Sequence, residues 1–138
     1  MESSPAGINA IPSGHFAWAL LAFWFARRYC SPGVGRAFAI YAALTALATL
    51  GTGEHWMIDL VLSVPFAAGI WVVVHQDWLF SGAALAAVLT WLAALREGWT
   101  LALPPLPAWL LAGFTISFFA LTVMDPDSEG PAAALFCS

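Results

Sequence analysis

Two short strings, Pro12-Ser13-Gly14-His15 and His55-Trp56-Met57-Ile58-Asp59, stand at the heads of apolar runs and hold two of the three histidines in the chain. Ionisable groups are costly inside a bilayer, so their presence at the mouths of apolar helices marks a site. Ser13 is placed to cap the helix that follows, and Gly14 lets a ligand approach the backbone, where the free amides of a helix N-terminus attract anions. His55 and Asp59 lie four residues apart and share a helix face. The carboxylate can therefore take a hydrogen bond from one imidazole nitrogen and leave the other nitrogen free to react. If the first and third helices are neighbours, His15 reaches the same mouth. A hydroxyl, two helix N-termini, an oriented imidazole and a second imidazole suit phosphoryl transfer. That reaction needs positive partial charge around the equatorial oxygens, an in-line nucleophile and an acid for the leaving oxygen.

The elements that must hold these groups are membrane helices. Of the 138 residues, 62% are hydrophobic and 9% are charged; no lysine occurs, and the mean hydropathy is +0.85. Eight acids and four arginines cannot coat a soluble domain of this size. The formal charge of -4 says little about partners, because Asp125, Asp127 and Glu129 belong to a short tail. Read against the 17 to 25 helical residues that a hydrocarbon core requires, the apolar runs predict an all-α, polytopic bundle of about five helices. The expected spans are 15–30, 36–50, 55–74, 78–95 and 106–124, with an outer N-terminal loop over 1–14 and a cytoplasmic tail over 125–138. Residues Met1 to Pro12 lack the basic start and apolar run of a signal peptide, so insertion is expected to rely on the spans.

Punctuation between the runs is clear: Ser31-Pro32-Gly33, Gly51-Thr52-Gly53, His75-Gln76-Asp77, Arg96-Glu97-Gly98 and the prolines 104, 105 and 107. The Gly51-Thr52-Gly53 turn predicts a helical hairpin. Small residues in the second run (Ala42, Ala43, Ala46, Ala48) and the fourth (Gly82, Ala83, Ala84, Ala86, Ala87) predict close helix packing. Arg27, Arg28 and Arg36 flank the first connection whereas Arg96 stands alone on the other side, so residues 27 to 36 are expected in the cytoplasm and both motifs at the extracytoplasmic face of the cell membrane. Trp56, Trp78, Trp99 and Trp109 fall near run ends, as interfacial anchors do. Cys30 and Cys137 read as isolated buried thiols, and His75 as an interfacial loop residue.

The spacing of Ile11-Pro12-Ser13-Gly14-His15 and, about 40 residues later, Gly53-Glu54-His55-Trp56-Met57-Ile58-Asp59 resembles the second and third signature motifs of the type 2 phosphatidic acid phosphatase superfamily. The branch with inositol phosphorylceramide synthases is the most similar. The resemblance covers residues 10 to about 75. It implies a membrane phosphatase or phosphotransferase acting on a lipid-linked phosphate without a metal or other cofactor. In that mechanism His55 forms a phosphohistidine, Asp59 orients it, His15 protonates the leaving alcohol, and Ser13 and Gly14 hold phosphate oxygens. The family's earlier motif, a lysine, six residues, then arginine and proline, does not stand ahead of Pro12, and the arginine expected six residues before the nucleophile is Thr49, preceded by Ala48. A truncated form, or completion of the site by an upstream helix or partner subunit, is therefore expected. Glu54 and Trp56 either shape the substrate mouth or sit at headgroup depth.

Two other classes stay open at this stage: a non-catalytic membrane scaffold that keeps degenerate motifs, and a haem or metal protein ligated by His15, His55 and Asp59. Phosphate release or a Soret band would separate them. No nucleic-acid partner is expected.

Overall fold

Five helices and no strand make up the described residues of the computed structural model, which are 13–51, 57–98 and 104–124. They are α1 (Gly14–Tyr29), α2 (Pro32–Gly51), α3 (Met57–Val74), α4 (Trp78–Arg96) and α5 (Pro105–Met124). Four of them, α2 to α5, are long and apolar enough to cross a membrane, which makes the chain an integral membrane protein. The exception is α1, at 16 residues. Leu44, Leu47, Leu79, Leu85, Leu110, Phe114 and Leu121 are all exposed on the outside of the bundle. Apolar surface on that scale belongs against lipid.

α3 is the hub, with α1, α4 and α5 packed around it, while α2 rests on α1. Residues Asp59 to Pro65, together with Ala67, Ala68 and Val72, are buried along α3. α1 and α3 run parallel. Ser13 lies beside Ser63 at one end, Trp24 meets Trp71 edge-on at 6.3 Å further along, and the Tyr29 hydroxyl is 3.2 Å from His75 Nε2 at the other end. Residue differences of 50, 47 and 46 keep nearly constant register, and only parallel helices do that. The Gly51-Thr52-Gly53 hairpin expected between α2 and α3 is not a packed pair among the described residues, since α2 leans on α1 instead. The faces of α3 are taken by its other three neighbours.

Boundaries follow local chemistry. α2 starts at Pro32, ahead of the apolar run at Arg36, because proline suits the first helical position, where its missing N–H costs nothing. α3 ends by donating Gln76 N–H to the Val73 carbonyl and Asp77 N–H to the Val72 carbonyl, which ties off two otherwise orphaned acceptors. Asp77 then caps α4 by accepting from the Phe80 amide at 3.1 Å. Inside the helices, Thr45, Thr49, Thr90, Thr115 and Thr122 each donate to the carbonyl one turn back, the economical way to satisfy a hydroxyl away from water. Small residues pack less widely than expected. Ala42 and Ala84 are buried, but Ala43, Ala48, Gly82, Ala83 and Ala86 are exposed. The close approach is at Gly69, where a Cβ would come within 3.3 Å of Ala84 Cβ.

One further expectation is corrected, at Cys30. His75 lies in the turn after α3, as a loop residue does, and it is held there: its ring stacks on Trp71 at 4.8 Å, its Nδ1 is 2.8 Å from the Trp71 carbonyl, and Tyr29 reaches its Nε2. A carbonyl can only accept, so Nδ1 carries the proton and, in the neutral ring, Nε2 accepts from the Tyr29 hydroxyl. Cys30 is an exposed free thiol, because α1 ends at Tyr29 and the chain turns outward at Cys30 before α2. Cys137, Trp56 and Trp99 lie outside the described residues, while Trp78 and Trp109 are exposed near helix starts.

Gln76 sits at φ 62, in the left-handed region, as the residue that terminates α3. A side chain there costs about 1 kcal/mol. Gln76→Gly should stabilise the bundle by about that amount, read as a higher midpoint of unfolding in mixed micelles; an unchanged or lower midpoint would show that the Gln76 side chain makes a compensating contact.

Candidate functional site

The site grows from the parallel register of α1 and α3, which brings two helix N-termini to one mouth. α1 begins lower than α3. Ser13 lies against Ser63, six residues past Met57, so at a rise of 1.5 Å per residue the start of α1 is recessed about 9 Å below that of α3. The first turn of α3 therefore forms a wall above the amides of α1, and that turn carries Asp59.

Ser13, Asp59 and Ser63 are each completely buried. The Ser63 hydroxyl lies 2.6 Å from the Asp59 carbonyl and 3.1 Å from the Ser13 carbonyl, so one hydroxyl ties the two strings together. Ser63 was not singled out in the sequence. The signal was there, because Ser63 is four residues after Asp59 and thus on the same face, a lone hydroxyl in the run Asp59-Leu60-Val61-Leu62-Ser63-Val64. Two residues further on is Pro65, which has no N–H to offer the helix ladder at that point.

Ser13 occupies the N-cap position with an extended backbone, φ -65 and ψ 108, and its carbonyl accepts from the Ala17 amide at 3.0 Å. Its hydroxyl does not cap, contrary to the sequence reading. Burial against α3 turns the side chain away from the first amides of α1, and among the described residues Ser13 Oγ has no hydrogen-bond partner. The threonines show how readily a hydroxyl in this bundle finds a carbonyl. An orphaned one beside a helix N-terminus is a donor and acceptor held in reserve.

Gly14 and His15 are the exposed part of the motif. A Cβ added at Gly14 would meet nothing within 4 Å, so the backbone there is open to an approaching group. His15 lies in the first turn of α1 and is exposed. His55, with Glu54 and Trp56, lies outside the described residues, and so does the expected hydrogen bond from Asp59 to it. The mouth thus combines an open backbone, an exposed imidazole, a buried hydroxyl and a buried carboxyl group. Among the described residues, Arg96 at the end of α4 is the one cation at this end of the bundle.

A family model described as the PAP2 superfamily matches residues 1–73 of the 138. The chain belongs to that superfamily. The matched segment of this PAP2 superfamily member contains α1, α2 and all of α3 but its last residue, the elements from which the mouth is built. No curated protein and no solved structure matches the chain.

Ser63→Ala removes the donor that joins α1 to α3 without adding bulk. A net loss of about 1 kcal/mol is expected, and Ser63→Thr, which restores a hydroxyl, should recover most of it. Unfolding in mixed micelles measures both; equal stability of Ser63→Ala and the parent chain would show that helix packing alone sets the register.

Proposed function

We propose that this PAP2 superfamily member is a membrane phosphatase or phosphotransferase acting on a lipid-linked phosphate through a phosphohistidine intermediate, with its site at the extracytoplasmic face. The observation that supports the reading is the placement of Ser13, Gly14 and His15 at the recessed start of α1, where the Ser13 carbonyl is held by Ser63, one turn below Asp59. Two chain segments 40 residues apart contribute to one mouth, with an open glycine backbone between a buried hydroxyl and an exposed imidazole.

In the proposed reaction the amides at the start of α1 and the Ser13 hydroxyl hold the phosphate oxygens. A nitrogen of His55 attacks phosphorus as the bond to the lipid oxygen breaks, and His15 gives that oxygen its proton. Asp59 holds the His55 ring and offsets the charge of the imidazolium. Water, or the hydroxyl of a second lipid, then attacks phosphorus as its bond to the His55 nitrogen breaks, while His15 takes the proton of the attacking oxygen. Burial of Asp59 in the first turn of α3 suits an orienting role, because a group held by surrounding helices keeps its direction.

Full positive charge is scarce around this phosphate. Helix N-termini contribute about 0.3 to 1 kcal/mol each near a surface, whereas each transition-state donor removed from such a site costs about 2.7 to 4 kcal/mol. An upstream helix or partner subunit bearing lysine and arginine is proposed to supply the remainder, worth about three orders of magnitude in rate.

Covalent labelling tests the assignment. With a radiolabelled lipid phosphate, His55→Ala should give no acid-labile phosphoenzyme. His15→Ala should label only with a substrate whose leaving group needs no proton, and Asp59→Asn should label slowly, down by about 10²-fold or more. Undiminished turnover by His55→Ala would remove the phosphohistidine mechanism.

A further inference from the structure

At the opposite end of the molecule from the mouth, α1 and α2 form an open-sided cavity of about 370 Å³ lined by Phe23, Arg27, Cys30, Pro32, Gly35, Arg36 and Ala39. Gly35 lets the helices close here, since a Cβ on it would sit 3.4 Å from Arg27 Cα. The start of α2 contributes the positive end of its dipole to the same cavity, and Arg27 and Arg36 approach it from the two helices. No aspartate or glutamate occurs between Glu2 and Glu54, so neither α1 nor α2 brings a carboxylate to these guanidinium groups. The one hydrogen bond that Arg27 makes among the described residues is to the Met124 sulfur at 3.7 Å, a weak acceptor.

The cavity is also graded along its length. Phe23 is one helical turn from Arg27 towards the middle of α1, and Ala39 is about one turn from Arg36 towards the middle of α2. Charge lies at the membrane edge and apolar wall lies towards the bilayer centre. That polarity matches a phospholipid, with phosphate outermost and acyl chain inward, and a bidentate guanidinium is the side chain best shaped for a phosphate.

We propose that this cavity binds an anionic phospholipid, its phosphate between Arg27 and Arg36 and the start of its acyl chain against Phe23 and Ala39. The site is distinct from the mouth at Ser13, being separated from it by the length of α1, and it does not rest on the function proposed above. Inorganic phosphate shares the headgroup chemistry but has nothing to place on the apolar wall. The acidic residues Asp125, Asp127 and Glu129, which follow Met124 in the chain, are the competing occupant.

Cys30 lines the cavity and is exposed, so its alkylation rate reports occupancy. The full chain carrying Cys137→Ser would be reconstituted in phosphatidylcholine vesicles, with or without phosphatidylglycerol, and treated with a membrane-permeant maleimide. Phosphatidylglycerol should slow alkylation of Cys30, and Arg27→Gln and Arg36→Gln should each remove about a fivefold share of that protection. Arg28→Gln makes the same change in charge outside the cavity and should leave the protection in place. Inorganic phosphate added to phosphatidylcholine vesicles should protect poorly. Native mass spectrometry of the unsubstituted chain, which needs no arginine variant to fold, should show retained phosphatidylglycerol in preference to phosphatidylcholine.

The proposal is overturned by equal loss of protection in all three arginine variants, which would mean diffuse surface charge. It is also overturned if inorganic phosphate protects as well as the lipid. Protection that needs no anionic lipid, and that disappears when Asp125, Asp127 and Glu129 are changed to their amides, would give the cavity to the tail instead.

Discussion

The register of α1 on α3 starts from one buried hydroxyl. Ser63 donates within a cluster of two carbonyls, its own Asp59 and the Ser13 that starts α1, in the most buried stretch of the chain. In a bilayer the apolar surfaces of helices slide past one another at little cost, because lipid tails are as apolar as leucine. Polar contacts and small-residue fits must then fix the register. Here the fit comes from the polar contact at one end, the Trp24–Trp71 pair further along, and the Tyr29–His75 pair at the other end. The position of the Ser13-Gly14 backbone relative to Asp59 follows from this register, and so does the mouth.

The order of helix contacts explains how five elements give a site with so few polar residues. α3 is buried on most sides by α1, α4 and α5, and among the described residues the polar side chains it buries are Asp59 and Ser63, one turn apart on one face. α2 stands apart on the far side of α1 and exposes Ile40, Leu44 and Leu47 outward. Its contribution to the mouth is indirect, through the support it gives α1.

Much of this was legible in the sequence, for physical reasons that differ from residue to residue. The helices were readable because apolar runs of membrane length are broken by proline, glycine and charge, and the shared mouth of α1 and α3 followed from helix alternation. Ser63 was missed because one serine in a long apolar run looks like packing until Asp59 is placed one turn before it. His75 is the loop residue that Gln76 and Asp77 suggested, but its contact with Tyr29 could not be read, because that partner is 46 residues away. The α2–α3 hairpin failed because a tight turn fixes where a chain reverses and not which helix it then packs against. Cys30 was read from the habit of its residue type, and the end of α1 overrode that habit. The expected pairing of His55 with Asp59 falls on residues outside those described.

The shortness of α1 has a consequence for the surrounding lipid. Its 16 residues span roughly 24 Å, against a hydrocarbon core of about 30 Å. A helix that stops short leaves its polar start beneath the headgroup plane, and the bilayer meets it either by thinning or by admitting water and headgroups to that depth. If α1 crosses the same bilayer as its neighbours, the recess at Ser13 is where that bilayer is locally thinned. Under the function proposed above, a phosphate already attached to lipid would settle there without lifting its acyl chains out of the leaflet. The thickness of the host membrane would then set how closely a headgroup approaches Ser13 and Gly14.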